Sequence, residues 1–395
     1  MSPPLRSKSF VTSLLILATS VSILSTELYV PSLPSLQDYF ATSAHRVQLT
    51  MSLNLLGYTL GQLVYGPLSD RFGRRPVLLL GMAGFALFSL FCALAWSIDM
   101  LIIARVAQGL LACSEAVVVL AMLRDMYDTD ESVRVFAIYG MVIAIVPAIG
   151  PILGGYIHVL VGWQGNFYLL TLLCLMLLLA FWLYLPETGH PGADVMRPRY
   201  ILDRYGALLR DRQFLAYALL SAFTLGGLFA YITEAPFVFI ERHGVAISRY
   251  GYYQALVVLW FFLGSMWTRL AVRRIAVLRL LLQGMFIVLA GGLAQPLAVW
   301  TGFESPLVLA GLMSVYAFGM GIVFAIAPVK ALDTKSAGRG MAAAMLGTLE
   351  MSGAALGAAM VGLLHDETAW ALVLTVALFS LLNYAAWMLK RQATA

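Results

Sequence analysis

Five charged side chains sit inside long apolar runs of this 395-residue chain: Glu27, Arg105, Glu115, Glu234 and Glu350. A charge in hydrocarbon costs upwards of roughly 2.5 kcal/mol, so each is paired, neutralised by a proton or functional. The chemistry open to them is proton exchange. A carboxyl in a dry cavity holds its proton toward neutral pH because desolvation penalises the anion, and a nearby arginine or bound cation releases it. Proton and ligand then compete for one group. The plainer alternative is a lone buried acid permanently neutralised by protonation. Tyr29, Tyr58, Tyr139 and Tyr231, with Phe237, Tyr253, Trp260 and Met345, are candidates to line a broad cavity by stacking and cation–π contact; packing or lipid contact is the plainer account of any single one. Trp96 and Trp163 read as an interfacial belt. There is no G-x-x-x-x-G-K-[ST] and no H-E-x-x-H, and the five histidines fall at loops or run ends, so no cofactor, metal site or enzymatic activity is expected.

The elements that must hold these charges are helices. Hydrophobic residues make up 61% of the chain and charged residues 11%, against roughly 25% charged in a soluble domain, and mean hydropathy is +0.87. Apolar runs bounded by charge, Gly and Pro predict twelve spans, at 10–32, 47–68, 77–97, 100–122, 134–157, 165–185, 214–237, 250–270, 277–298, 306–328, 340–363 and 369–389. The first follows Arg6 and Lys8 and runs on past Glu27 with no small-x-small cleavage site, so it reads as a span rather than a signal peptide. Cys92, Cys113 and Cys174 lie inside spans with no C-x-x-C spacing and read as small buried hydrophobes.

On that map 21 of the 25 Lys and Arg residues fall in loops on the side of the termini, and only Arg46, Arg242 and Arg249 in loops on the other. The positive-inside bias therefore predicts both termini in the cytoplasm, and the loop placement explains the net charge of +5 without a nucleic-acid partner. At about 1.5 Å per residue Glu27 lies about 26 Å, and Arg105 about 22 Å, from the terminal side, so the two can meet at one level; Glu350 lies near the midplane, Glu115 nearer the terminal side and Glu234 nearer the far side, where water can reach it.

The longest polar stretch, Pro186 to Asp211, divides the spans six and six: a first bundle over 1–185, a cytoplasmic central loop over 186–213 and a second bundle over 214–395. Two internal echoes support a repeat. Gly66-Pro-Leu-Ser-Asp70-Arg71-Phe-Gly73-Arg74-Arg75 after span two is echoed by Gly264-Ser-Met-Trp-Thr268-Arg269 after span eight, and Thr26-Glu27 is echoed by Thr233-Glu234. Two parallel six-helix repeats around a central substrate site is a transporter plan, and one closed bundle of twelve spans is expected to work as a monomer in lipid.

Three motifs carry a family resemblance. Gly66 to Pro76 resembles the loop two-three signature of the major facilitator superfamily, Arg105-Val-Ala-Gln108-Gly109 its second motif, and Gly150-Pro151-Ile-Leu-Gly154-Gly155 the core of its antiporter motif, which marks the drug:proton antiporter branch. Thr26 to Pro34, Gly61 to Pro67 and Leu123-Arg124-Asp125-Met126-Tyr127 are most similar to the Bcr/CflA subfamily. The sequence departs from that pattern in having Glu27 where the subfamily has Asp, and in the absence of the acid and glycines from the second-half loop.

The resemblance implies an all-helical major facilitator fold of two pseudo-symmetric six-helix bundles. It also implies a multi-pass protein of a bacterial inner membrane that exports small amphipathic drugs or antibiotics in exchange for protons. Export of an endogenous metabolite such as a siderophore or metallophore is the alternative with the same fold; a proton-linked importer or a membrane sensor is less compatible with the Gly150-Pro151 motif and with loops this short. Glu27 is then the first proton-coupling candidate and Arg105 its electrostatic partner, with Glu350 and Glu234 next and Glu115 beside the cavity. Gly66, Asp70, Arg71, Gly73, Arg74 and Arg75 form a cytoplasmic gate, in which Asp70 caps a helix N-terminus or pairs with a base and Gly66 and Gly73 permit close backbone approach. Pro147, Gly150, Pro151, Gly154 and Gly155 kink and pack the antiport helix.

Overall fold

The structure is a computed structural model that describes residues 8–127, 129–189, 198–334 and 339–391. Arg6, Asp194, Arg197 and Lys335 of the charge map lie outside the described residues. Among the described residues the regular structure is entirely helical. The first half runs α1 (Lys8–Glu27), the short α2 (Ser35–Phe40), α3 (Ala44–Phe72), α4 (Arg74–Ala93), α5 (Ile98–Met126), α6 (Thr129–Val161) and α7 (Gln164–Tyr184). The second half runs α9 (Arg212–Pro236), α10 (Ile247–Ala271), α11 (Val277–Trp300), α12 (Pro306–Leu332), α13 (Arg339–Leu364) and α14 (Trp370–Arg391). Between the halves lies α8 (Pro198–Arg210), a helix within the polar stretch 186–213 rather than a plain loop; it packs on α9 and α13 with Leu208 fully buried. Asp211 ends it and caps α9, accepting from the backbone N–H groups of Gln213 at 2.9 Å and Phe214 at 3.1 Å.

Among the described residues, eleven helices are long and apolar enough to cross a membrane. The one predicted span not among them, 47–68 in α3, has the length but not the apolarity. Its polar residues Gln48, Thr50, Ser52, Asn54 and Thr59 are buried against neighbouring helices rather than turned to lipid, which is why a span can carry them.

The two halves repeat one packing scheme. In the first, α3 and α4 pack on α5, α4 on α7, and α1 on α5, α6 and α7; in the second, α10 and α11 pack on α12, α11 on α14, and α9 on α12, α13 and α14. Close backbone crossings recur at equivalent places, with Gly57 and Gly109 where α3 meets α5 and Gly264 and Gly321 where α10 meets α12. The halves touch chiefly through α6 with α10 and α3 with α13. At the α6–α10 contact, Pro151, Ile152 and Gly155 meet Ile247, Ser248 and Gly251 near the face opposite the termini, hereafter the far side.

Candidate functional site

Glu27 and Glu234 occupy equivalent places, each in the last turns of the first helix of its half, and each is followed by distorted helix: a 3₁₀ turn at Val30–Ser32 and a π turn at Phe237–Arg242. Glu27 is 4% exposed, and its Oε2 has no hydrogen-bond partner among the described residues. Its Cβ abuts Gly150 of α6 so closely that a Cβ on Gly150 would lie 2.6 Å away, while Gly154 presses on the Leu28 carbonyl. Glu27 also interacts electrostatically with the phenol of Tyr250 on α10, which in turn interacts with Tyr231 of α9. The first-half acid thus faces the seam between the bundles, with Tyr231 among its neighbours once removed. Tyr250 escaped the sequence reading because nothing in its local pattern separates it from packing tyrosines.

Arg105 does not pair with Glu27. It is fully buried and donates from Nε to the Thr50 carbonyl at 3.3 Å, from one terminal nitrogen to the Ser25 carbonyl at 3.0 Å, and to Gln108 Oε1; its other terminal nitrogen has no partner among the described residues. Its guanidinium carbon lies 4.4 Å from the Tyr29 ring centroid, and Tyr29 Oη bonds Thr50 Oγ1 at 2.8 Å. Tyr29 is therefore part of the arginine's cage, not of an open cavity. Compatible depth along two helices does not make a contact; azimuth decides it. Ser25 lies on α1 and Tyr29 in the turn just past its end, both against Arg105, whereas Glu27 stands about 200° round the helix from Ser25.

Glu115 of α5 is fully buried, with Cys174 Sγ 3.9 Å from Oε1 and, among the described residues, no hydrogen-bond partner for Oε2. Tyr58 and Tyr139 are half-buried and interact electrostatically with one another, and Tyr58 also with Glu115. Glu350 is half-buried on α13 and interacts with the Ser221 hydroxyl of α9. The cavity candidates therefore divide among three places.

Glu234 was expected near water and is instead fully buried. It accepts from Gln48 Nε2 of α3 and bonds His365 Nδ1 at 2.7 Å, so a carboxyl of the second half is held by a residue of the first. Burial lowers the proton affinity of His365, but the hydrogen bond and charge of Glu234, with Glu241 and Asp366 beyond, outweigh it and raise the imidazole pKa. His365 follows α13 directly, and nothing in the sequence aimed it at Glu234.

In the loop between α3 and α4, Arg74 is the hub. It pairs with Asp70 and with Asp125 of α5 at 3.2 Å, and donates to Ser69 Oγ at 2.6 Å. Asp70 thus pairs with a base, and the helix cap falls to Glu187, whose carboxylate accepts the backbone N–H groups of Arg74 at 2.9 Å and Arg75 at 3.1 Å at the start of α4. Arg75 donates to the Trp182 carbonyl at 2.8 Å, and Arg71 has no ion pair among the described residues. Gly73 is required by its φ of 96° and by the Glu187 carboxylate beside it. Gly66 has open space where a Cβ would stand, so it permits no close approach, contrary to expectation. Every recorded partner of this clasp lies in the first half or the segment directly after α7.

A sequence profile described as the Major Facilitator Superfamily matches residues 15–358. An uncharacterized MFS-type transporter, YdgK of Bacillus subtilis, is 37% identical over 228 residues, a stretch that spans 56% of each chain. A bicyclomycin resistance protein homolog of Haemophilus influenzae is 29% identical over 70% of this chain and 73% of its own. The multidrug transporter MdfA of Edwardsiella ictaluri is 28% identical over 85% of this chain and 82% of its own. Among solved structures, a bacterial homolog of the human lysosomal transporter Spinster, in an inward-facing and occupied conformation, superposes with a TM-score of 0.75 at 15% identity, covering 98% of this chain and 97% of that one.

Proposed function

The chain belongs to the Major Facilitator Superfamily, a multi-pass membrane transporter and not an enzyme, and from that premise we propose that it exports small amphipathic compounds in exchange for protons by alternating access. In this proposal the terminal side is the cytoplasm, the membrane is a bacterial inner membrane, and the bundles over 1–185 and 214–395 rock about a central site with 186–213 as their tether. The two resistance-related relatives support drugs or antibiotics as cargo.

The observation that carries the proposal is Glu27: a carboxyl almost wholly removed from solvent, without a cationic partner among the described residues, set against Gly150 of the antiporter-like helix and facing the seam that must open. Such a group holds a proton when the seam is dry and yields it when substrate or water arrives. Gly150 and Gly154 seat α6 directly on α1, which leaves little room for water beside the carboxyl and so limits proton leak. Arg105, spent on neutral oxygens and Tyr29, holds α1, α3 and α5 together at that level and offers little to an anionic cargo. Cationic or neutral compounds are favoured over a polyanionic metallophore.

The test is proton movement in acid-loaded inside-out vesicles, read with a pH-sensitive dye as cationic, neutral and anionic compounds are added to wild type and to Glu27→Gln. Substrate-evoked alkalinisation in wild type that vanishes in Glu27→Gln is the expected result. Alkalinisation that persists in the variant moves the proton site to Glu350 or Glu234. Silence across the panel removes drug export and leaves a metabolite made by the host cell.

A further inference from the structure

Where the bundles meet on the far side, the Tyr156 hydroxyl of α6 bonds that of Tyr252 of α10 at 3.0 Å, and three further polar contacts cross the seam from α2 and α3. Gln37 Nε2 of α2 donates to Glu241 Oε1 at 2.7 Å, His45 Nδ1 of α3 lies 2.9 Å from the Gly362 carbonyl of α13, and Gln48 of α3 donates to Glu234. The third differs in kind. Its acceptor is a fully buried carboxyl whose other oxygen bonds His365, itself only 13% exposed. A cavity of about 650 Å³ reaches this pair from the far side, lined by Gln37, Glu241, Arg242 and Asp366 among others.

The surroundings decide the charge the closed seam can hold. From α9 and the π turn come Glu241 and Arg242; from the α13–α14 loop Asp366 and Glu367; from α2 Asp38, which acts on Glu241; from α3 His45 and Arg46. The nearby cations are already engaged, Arg242 with Glu304 and Arg46 with Asp99. Among the described residues Glu234 therefore has no permanent cation to itself, only a neutral amide and an imidazole, and the acids around it oppose a bare anion. A buried carboxylate in such a setting needs at least one proton shared with His365, whereas an opened seam hydrates both groups and lets that proton go.

We propose that Glu234 and His365 form a second proton-binding site, assembled only when the far side closes, so that proton uptake through the far-side cavity drives the bundles together over Gln48. This extends the proton-coupled export above and rests on it for its physiological direction: protons taken from the far side close that side and turn the transporter toward the terminal side. His365 positions and shares the proton; Gln48 reports closure across the seam. The raised proton affinity of His365 has the sign this requires. The closed state is favoured fully below the ordinary imidazole pKa of about 6.5 and loses that advantage as pH climbs through the raised value.

The test needs neither substrate nor gradient, so its failure is separable from failure of the export reading. Spin labels at Trp96→Cys and Trp300→Cys, exposed on the far ends of the two halves, report far-side separation in nanodiscs, and the three native cysteines are buried. In wild type the ratio of open to closed populations rises by up to about tenfold per pH unit as pH is raised between roughly 6 and 9. The comparison is made in a Glu27→Gln background, which removes that carboxyl's own proton exchange at the seam; there His365→Gln and Glu234→Gln, which keep hydrogen-bonding capacity without the titration, flatten the dependence that remains. A wild type indifferent to pH, or a dependence that survives His365→Gln in that background, overturns the proposal; should Glu234→Gln fail to fold, His365→Gln alone decides.

Discussion

Arg105 carries its charge in a shell of neutral oxygens and one aromatic face, so its value lies in geometry as much as in charge. A forked guanidinium reaches carbonyls of α1 and α3 and a side chain of its own helix at once, which a single ammonium cannot do. Arg105→Lys is expected to fold with an apparent loss of about 2–4 kcal/mol in detergent melting, and to lower export at least about tenfold. Export equal to wild type would show that only the positive charge matters. That an arginine at position 105 would be buried and engaged was legible, because charge inside an apolar run has few other fates. Its partners were not, because Ser25, Thr50 and Gln108 offer common groups that no spacing rule connects over 80 residues of chain.

At the scale of elements, α6 is one of the helices that touch both halves, and adjacent glycines on it do different work. Gly154 lies on the Leu28 carbonyl inside the first bundle, whereas Gly155 lies against Ile247 and Ser248 of α10 across the seam. Gly154→Ala should cost about 1–3 kcal/mol of stability by forcing α1 away. Gly155→Ala should leave thermal stability within about 0.5 kcal/mol and instead raise labelling of far-side positions, since it disfavours only the closed seam. Equal destabilisation by both would mean that the seam and the bundle interior are one cooperative unit. The motif made α6 recognisable; which glycine serves which neighbour is set by the roughly 100° turn between consecutive residues, read only against placed partners. The loop after α3 teaches the same lesson, since its own Asp70 binds Arg74 while the cap of α4 comes from Glu187, more than a hundred residues on.

For the whole molecule, the far seam sets a pH signature. With the His365 pKa raised in the folded state, the pair with Glu234 adds stability that is full below about pH 6.5 and fades as pH rises through the raised value. Melting of wild type against His365→Gln should therefore differ by a few degrees at acidic pH and converge at alkaline pH. A difference constant with pH would reduce His365 to packing. The chain alone determined the membrane helices, the six-plus-six repeat scheme and the five charges that need an explanation, because hydrophobic length and the cost of burying charge are properties of local composition. The closed far seam, the Glu234–His365 pair, the separation of Glu27 from Arg105 and the helix α8 between the halves were decided by tertiary structure. Each depends on the azimuth and register of helices brought together from distant parts of the chain, and composition carries no record of either.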